Sequence, residues 1–258
     1  MTDRILTRPG SQIAYSTTGT GPVAISAHGL SSSRANDDSM GVSFASLPDR
    51  TVVRYDARGH GASTGRGIPA DYAWSALAGD LLALADEVSP DAAIDAIGAS
   101  MGCATILHAV VTAPERFRRL VLVIPPTAWE TRAAMAAGYE TQAKLVEEEG
   151  LAALLEMSEG LPNPPAMRPD VRFAPAVSEE LLPTVFRGAA LSQFPDREQV
   201  AQIRQPVLIL AWIGDPGHPL STSEELLALL PDAELSVAQT PEDVEGWVAA
   251  ADEFLSRP

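Results

Sequence analysis

The residues best suited to carry out chemistry surround Ser100, in the stretch Gly98-Ala99-Ser100-Met101-Gly102. This G-x-S-x-G spacing follows an apolar run that ends at Ile97 and precedes a segment with helical spacing, so it predicts a sharp strand-to-helix turn. Such a turn strains the backbone at its central residue and tolerates only small neighbours, which holds the Ser100 hydroxyl out of the fold. The unpaired N–H groups and positive dipole end of the following helix favour negative charge developing beside that hydroxyl.

The elements that must position Ser100 alternate between strands and helices. After a hairpin at 5–7 and 13–16, strands are predicted at 23–26, 51–55, 93–97, 120–124, 206–212 and 233–238, and helices at 73–88, 223–230 and 241–255. This alternation predicts an α/β fold with a mostly parallel, doubly wound sheet, whose site lies at the carboxyl ends of the strands.

A long helical stretch interrupts the alternation after the run that ends in Pro125-Pro126. Residues 127–203 have helical patterns, a proline-rich break at 161–165 and no strand-like run. We therefore expect a helical cap (lid) at 127–203, inserted into a core domain made of 1–126 and 204–258.

Composition narrows the classes of partner and compartment. The net charge of −16 disfavours nucleic acid and anionic membrane surfaces as partners. No basic and apolar leader and no apolar run of about 20 residues is visible, so a cytoplasmic protein is expected. The single cysteine, Cys103, is expected in the core. No metal site is expected because no His/Cys/Asp cluster has ligand spacing; we expect no cofactor, a small-molecule substrate, and leave a homodimer open.

With these residues laid out, the chain resembles the α/β-hydrolase superfamily over nearly its whole length. The resemblance is carried by motifs in the family's order: His28-Gly29, Asp56-Ala57-Arg58-Gly59-His60-Gly61-Ala62-Ser63, Gly98-Ala99-Ser100-Met101-Gly102 and Gly214-Asp215-Pro216. It implies that Ser100 is the nucleophile, that the N–H groups of Leu30 and Met101 form the oxyanion hole, and that Asp215 is the acid of a catalytic triad.

The histidine base is where the chain departs from this family, which places it between the last strand and the last helix. Here no histidine follows His218 anywhere. Strand residues end near Ala238 and Pro241 suits the first position of a helix, so only Gln239 and Thr240 remain between them. This pattern indicates a deletion, and a link of that length cannot project a side chain to Ser100 in the usual way.

Three of the four histidines have structural interpretations. His108 lies about 12 Å beyond Ser100 along the same predicted helix, at roughly 1.5 Å per residue. His28 and His60 match family positions where histidines hold loop geometry through hydrogen bonds.

His218 is the remaining candidate, three residues after Asp215 on a loop at the active end of the sheet. The neighbouring Pro216, Gly217 and Pro219 restrict or permit sharp turning, so the imidazole could fold back toward Ser100. We hypothesise that His218 is a relocated base. Whether Asp215 also orients it depends on a tight turn, and Asp56 is the fallback acid.

Candidate substrate contacts are Trp212, Trp129 and Arg34. Aromatic and methionine side chains could line a pocket beneath the cap or simply pack: Trp129, Met135, Tyr139, Met157, Phe186 and Trp212. Trp212 directly precedes the Asp215 loop. Arg34 and Arg58 could meet a substrate carboxylate, although for Arg58 a structural salt bridge is the favoured interpretation.

These residues predict a serine hydrolase for a small ester, lactone or related acyl compound, because a serine hydroxyl beside a base and two N–H donors suits acyl transfer. Two alternatives stay open. One is a lyase, isomerase or cyclase on the same fold that stabilises an enolate in the oxyanion hole. The other is a catalytically silent ligand-binding protein that lacks a competent base.

Overall fold

The strands form one eight-stranded sheet in the order β1-β2-β4-β3-β5-β6-β7-β8. The computed structural model describes residues 3–39, 43–171 and 174–257. The strands are β1 (Arg4–Arg8), β2 (Ser11–Gly19), β3 (Val23–Ala27), β4 (Thr51–Tyr55), β5 (Ile94–Ala99), β6 (Phe117–Val123), β7 (Val207–Trp212) and β8 (Ala233–Ala238). The hairpin β1–β2 joins β4 in antiparallel fashion, and the strands from β4 to β8 along the sheet are parallel. The predicted fold class is confirmed.

Helices connect the parallel strands and cover the sheet. They are α1 (Arg34–Ser39), α2 (Trp74–Val88), α3 (Met101–Thr112), α4 (Arg132–Glu149), α5 (Leu151–Glu159), α6 (Leu182–Ala190), α7 (Arg197–Val200), α8 (Leu220–Leu229), α9 (Pro241–Glu245) and α10 (Trp247–Ser256). The single helix predicted at 241–255 is two helices, because Gly246 interrupts it and glycine is a poor residue for a helix interior. Helix α1 lies in a stretch for which no helix was predicted.

Two apolar clusters cover the two faces of the sheet. Alternate strand residues such as Val53 and Leu120 pack with α2 and α3 on one face. Their neighbours in sequence, Val52 and Val121, pack with Trp247 and Phe254 of α10 on the other. Because these strands are buried on both faces, their sequences read as continuous apolar runs.

The chain between β6 and β7 is helical, and its described residues include no strand. Helices α4 and α6 pack together in a third apolar cluster that includes Val146, Leu154 and Phe186. The buried guanidinium of Arg132 donates to Ser192 O at 3.0 Å and lies 4.0 Å from the ring centroid of Trp74 in α2. The helical stretch is thereby fastened to the core beside the carboxyl edge of the sheet.

Candidate active site

Ser100 occupies a strained turn between β5 and α3. Its backbone has φ 51° and ψ −111°, a conformation that few residues adopt. A Cβ at Gly98 would lie 2.5 Å from the carbonyl carbon of Gly102, and a Cβ at Gly102 would lie 2.2 Å from Ala27 O. The glycines are therefore needed for close packing, and the strand–turn–helix setting predicted for this motif is present.

The structure brings Ser100, His218 and Asp215 together in one hydrogen-bonded chain. Ser100 Oγ lies 2.7 Å from His218 Nε2, and His218 Nδ1 lies 2.7 Å from Asp215 Oδ2. With the proton on Nδ1 donated to the carboxylate, Nε2 is free to accept the serine proton. This is the arrangement that general-base activation of a serine requires.

A tight turn after β7 explains how an acid and a base so close in sequence can meet. The His218 N–H donates to Asp215 O at 3.2 Å, and the Gly217 N–H donates to Asp215 Oδ1 at 2.8 Å. The Thr127 N–H donates to Gly217 O at 3.0 Å, which ties the turn to the first residues of the helical stretch. One carboxylate oxygen thus closes the turn while the other meets the imidazole.

Trp212 fixes the acid rather than facing the cleft. Its Nε1–H donates to Asp215 Oδ2 at 3.0 Å, and its ring lies edge-on to the His218 ring with centroids 6.3 Å apart. Burial by itself would raise the pKa of Asp215, but the bonds from His218, Gly217 and Trp212 outweigh it and hold that pKa below the ordinary value. The acid is therefore kept ionised at neutral pH.

The link between β8 and α9 is as short as the sequence predicted. Strand β8 ends at Ala238 and α9 begins at Pro241. The N–H groups of Gln239 and Thr240 donate to Asp243 Oδ2 at 2.9 and 3.0 Å, and Thr240 Oγ1 accepts from the Asp243 N–H. This link caps a helix and carries no ionisable side chain.

The proposed oxyanion donors border the serine from two sides. Met101 is the first residue of α3, so its N–H has no acceptor within the helix, and Leu30 lines the same cleft as Ser100. Within the described ranges neither N–H has a backbone acceptor. Gly29 lies beside the serine, since a Cβ there would be 3.4 Å from the Ser100 Cβ, an ordinary van der Waals contact.

Two buried histidines hold the loop that carries Leu30. His60 Nε2 accepts from the Ser31 N–H at 3.1 Å, and His28 Nε2 accepts from the Ala57 N–H at 2.8 Å. Burial, reinforced by the nearby His28, lowers the pKa of His60 to about 3. Both rings therefore have the loop-holding contacts expected for them.

The other titratable candidates form bonds with residues other than Ser100. His108 Nε2 bonds Gln193 O at 2.8 Å. The fallback acid Asp56 accepts from the guanidinium and the backbone N–H of Arg34, and these bonds outweigh burial and lower its pKa. Arg58 forms a two-bond ion pair with Asp80, as favoured from the sequence.

Two of the predicted substrate contacts have other partners in the structure. Arg34 is engaged by Asp56 and Asp3 and does not line the cleft. Trp129 packs edge-on against Phe194 and under the Arg197 guanidinium, and its Nε1–H donates to Pro195 O. Both side chains are occupied by tertiary partners.

A cleft of about 850 Å³ opens between Ser100 and the helical stretch. Of the aromatic and methionine residues proposed as a lining, Tyr139, Met157 and Phe186 border it, whereas Trp129, Met135 and Trp212 do not. Sequence reasoning missed further lining residues: Ser31, Gln142, Leu154, Leu155, Leu161, Pro162, Asn163, Pro164, Pro165, Met167, Pro169, Val171, Ala174 and Pro175. The proline cluster at 161–165, which was interpreted only as a break between helices, was the available signal.

Among the described residues, no group of three or more His, Cys, Asp or Glu side chains is placed to hold a metal ion. No helix among those residues is both long enough and apolar enough to cross a membrane.

Comparisons with known proteins place this geometry in a family. Residues 25–250 match the model of the alpha/beta hydrolase family. The chain is similar to 3-oxoadipate enol-lactonase 2 of Acinetobacter baylyi, with 31% identity over 175 residues, which cover 64% of this chain but only 61% of that protein. It is also similar to the putative carbamate hydrolase RutD of Rhizobium rhizogenes, with 29% identity over 203 residues and 74% of each chain covered.

Solved structures agree on the fold. A hydrolase from Pseudomonas aeruginosa superposes with a TM-score of 0.81 at 24% identity, covering 99% of this chain and 98% of its own. A thermophilic esterase from Thermogutta terrifontis gives 0.76 at 20% identity, with the same coverage. Together with the match over residues 25–250, the sheet and the turn at Ser100 establish that this chain belongs to the alpha/beta hydrolase family.

Proposed function

We propose that this protein is a serine hydrolase that cleaves a small ester, lactone or comparable acyl compound. The observation that carries the proposal is the chain of two 2.7 Å contacts from Ser100 Oγ through the His218 ring to Asp215 Oδ2, at the wall of a large cleft. The similarity to proteins named an enol-lactonase and a putative carbamate hydrolase supports hydrolysis.

In the proposed reaction, His218 Nε2 takes the proton of the Ser100 hydroxyl as Oγ attacks the substrate carbonyl carbon. The N–H groups of Leu30 and Met101 stabilise the oxyanion, each worth about 10²-fold or more in rate. His218 then gives the proton to the leaving group, and an acyl-enzyme remains. Water, deprotonated by the same nitrogen, releases the acid and restores Ser100.

Asp215 stays charged throughout these steps. Its Oδ2 accepts the Nδ1 proton, which fixes the tautomer of His218 and stabilises the imidazolium that forms. None of these steps requires a metal or a cofactor.

The helices between β6 and β7 serve in this proposal as the cap that selects the substrate. Tyr139, Leu154 and Phe186 of this stretch line the cleft opposite Ser100, and Met157 and Pro162 extend it. Selectivity would therefore reside in residues 127–203.

A fluorophosphonate probe and p-nitrophenyl esters test the proposal. We expect rapid covalent labelling at Ser100, ester turnover by the wild type, and loss of both in Ser100→Ala. Thr112→Ala, at the other end of α3, is a control for altering a hydroxyl of the same helix. Turnover without labelling at Ser100 would instead favour a reaction that does not pass through an acyl-enzyme, and ligand binding without any product would favour the silent binding protein.

A further inference from the structure

A second, smaller cavity lies beside the serine turn. This side chamber has a volume of about 100 Å³, and its walls are mostly apolar, among them Ile97, Ala99, Val123, Met167, Trp212 and Val244, although Asp37, Arg168 and Glu245 also line it. Ala99 directly precedes Ser100, and Trp212 is the residue that holds Asp215. The chamber is therefore adjacent to neighbours of the reacting groups, while Ser100 and His218 themselves line the cleft.

Met167 is the wall that the side chamber shares with the cleft. Methionine is unbranched and adapts its shape, so it can yield to an apolar group more easily than a branched side chain could. Helix α9, which follows the shortened β8–α9 link, contributes Pro241 and Val244 to the lining. The helix next to the segment that has lost the usual histidine thus borders the chamber.

The directions in which the bonds of the tetrahedral intermediate point indicate which part of the substrate could enter the side chamber. In the tetrahedral intermediate the carbonyl carbon bears Ser100 Oγ, the oxyanion, the leaving group and the acyl substituent. The leaving group must face His218, which lines the large cleft and not the side chamber. We propose that the side chamber receives the acyl substituent, and that the substrates are esters with a short apolar acyl group.

The volume sets the expected size of that group. A dry apolar cavity of about 150 Å³ accommodates benzene, so a chamber of about 100 Å³ suits an acyl group of about four carbons, the carbonyl carbon included. Longer chains would have to displace Met167 or remain in the cleft. This inference rests on the proposed acyl transfer at Ser100.

The test compares p-nitrophenyl acetate, butanoate and octanoate, which share one leaving group. We expect Val244→Phe, which fills the chamber, to lower kcat/KM for butanoate relative to acetate at least about tenfold. Val248→Phe is the matched control: the same change on α10, outside the chamber lining, should leave that ratio unchanged. Met167→Ala, which opens the shared wall, should raise kcat/KM for octanoate relative to acetate.

The outcomes separate this inference from the proposed function. If folded Val244→Phe alters acetate and butanoate equally while Ser100 is still labelled by the fluorophosphonate, the chamber proposal is overturned and the hydrolase proposal stands. If no ester is turned over and Ser100 is not labelled, both are overturned. If Val244→Phe does not fold, Met167→Ala decides, because an unchanged octanoate-to-acetate ratio contradicts a shared wall.

Discussion

Two neighbouring strand-to-helix links at the carboxyl edge of the sheet differ in length and in the residues they carry. The link after β7, residues 213–219, holds Asp215 and His218 in one turn, closed by the Gly217 N–H. The link after β8 consists only of Gln239 and Thr240, whose N–H groups donate to Asp243 Oδ2 at the start of α9. In the usual arrangement of this family the acid and the base are divided between these links.

In the proposed mechanism, the geometry of the proton relay matters more than where in the chain its members originate. A turn of four residues places a carboxylate oxygen 2.7 Å from Nδ1, and the ring then reaches Ser100 Oγ with its other nitrogen. Because acid and base share one turn, they are positioned by the same few contacts, namely those of Thr127, Gly217 and Trp212.

The largest effect is expected for the base. His218→Ala should lower kcat for p-nitrophenyl acetate about 10⁵-fold or more, because nothing else accepts the Ser100 proton. Gln239→Ala, in the link where the family places its histidine, should leave kcat within about twofold. Steady-state kinetics of both variants measure the contrast, and nearly equal activities would remove His218 from the mechanism.

The second largest effect on kcat is expected for the acid. Asp215→Asn is expected to lower kcat about 10³- to 10⁴-fold, because an amide no longer fixes the tautomer of His218 or stabilises its charge. Asp243→Asn in α9 is the matched change in the other link. It weakens the cap on Gln239 and Thr240, so a lower Tm with unchanged kcat is expected. A full loss of kcat in Asp243→Asn would mean that the second link still serves the chemistry.

The sequence predicted which strand ends carry the reacting residues better than it predicted the surroundings of individual side chains. The turn at Ser100 and the deletion before Pro241 follow from local glycine and proline patterns, which need no tertiary information. The bond from Trp212 to Asp215 was not predicted, although a signal for its packing existed: Trp212 shares strand parity with Leu208 and Leu210, and all three belong to the cluster covered by Trp247. Arg34 and Trp129 could not be placed, because their partners Asp56 and Phe194 lie far away in sequence.

An intermediate effect is expected for the residue that supports the acid. Trp212→Phe keeps an aromatic ring but removes the Nε1–H donor to Asp215 Oδ2, so kcat should fall about tenfold, in proportion to one hydrogen bond to a charged group. KM for p-nitrophenyl acetate should change less than kcat, since Trp212 lines the side chamber and not the cleft that holds Ser100 and His218. Trp247→Phe is the control, because that ring is tilted against the Trp212 ring with centroids 6.1 Å apart and is not a bonding partner of Asp215. A rise in KM with kcat unchanged would mean that Trp212 acts on substrate binding and not through Asp215.

The same pair of variants has a pH signature in stability. The folded pKa of Asp215 lies below its ordinary value of 3.8, so its ionised form stabilises the fold above that pH, and the contribution is lost as the pH falls through the folded pKa. Trp212→Phe reduces this lowering, so its deficit in unfolding free energy should be larger at pH 7 than at pH 3. Trp247→Phe should show the same deficit at both pH values. Urea unfolding measures both, and a pH-independent deficit for Trp212→Phe would contradict the role of the Nε1–H bond.

The smallest effect tests whether the second link could ever resume its usual role. Adding Gln239→His to His218→Ala returns a histidine to the link after β8, yet we expect less than about a twofold gain in kcat. The reason is geometric: the Gln239 N–H is held by Asp243 Oδ2, the side chain is exposed, and Pro241 already begins α9. Exogenous imidazole added to His218→Ala is the control that shows Ser100 and its oxyanion donors remain competent. Rescue by imidazole without rescue by Gln239→His would show that the shortened backbone, and not merely the missing ring, moved the base to the turn after β7.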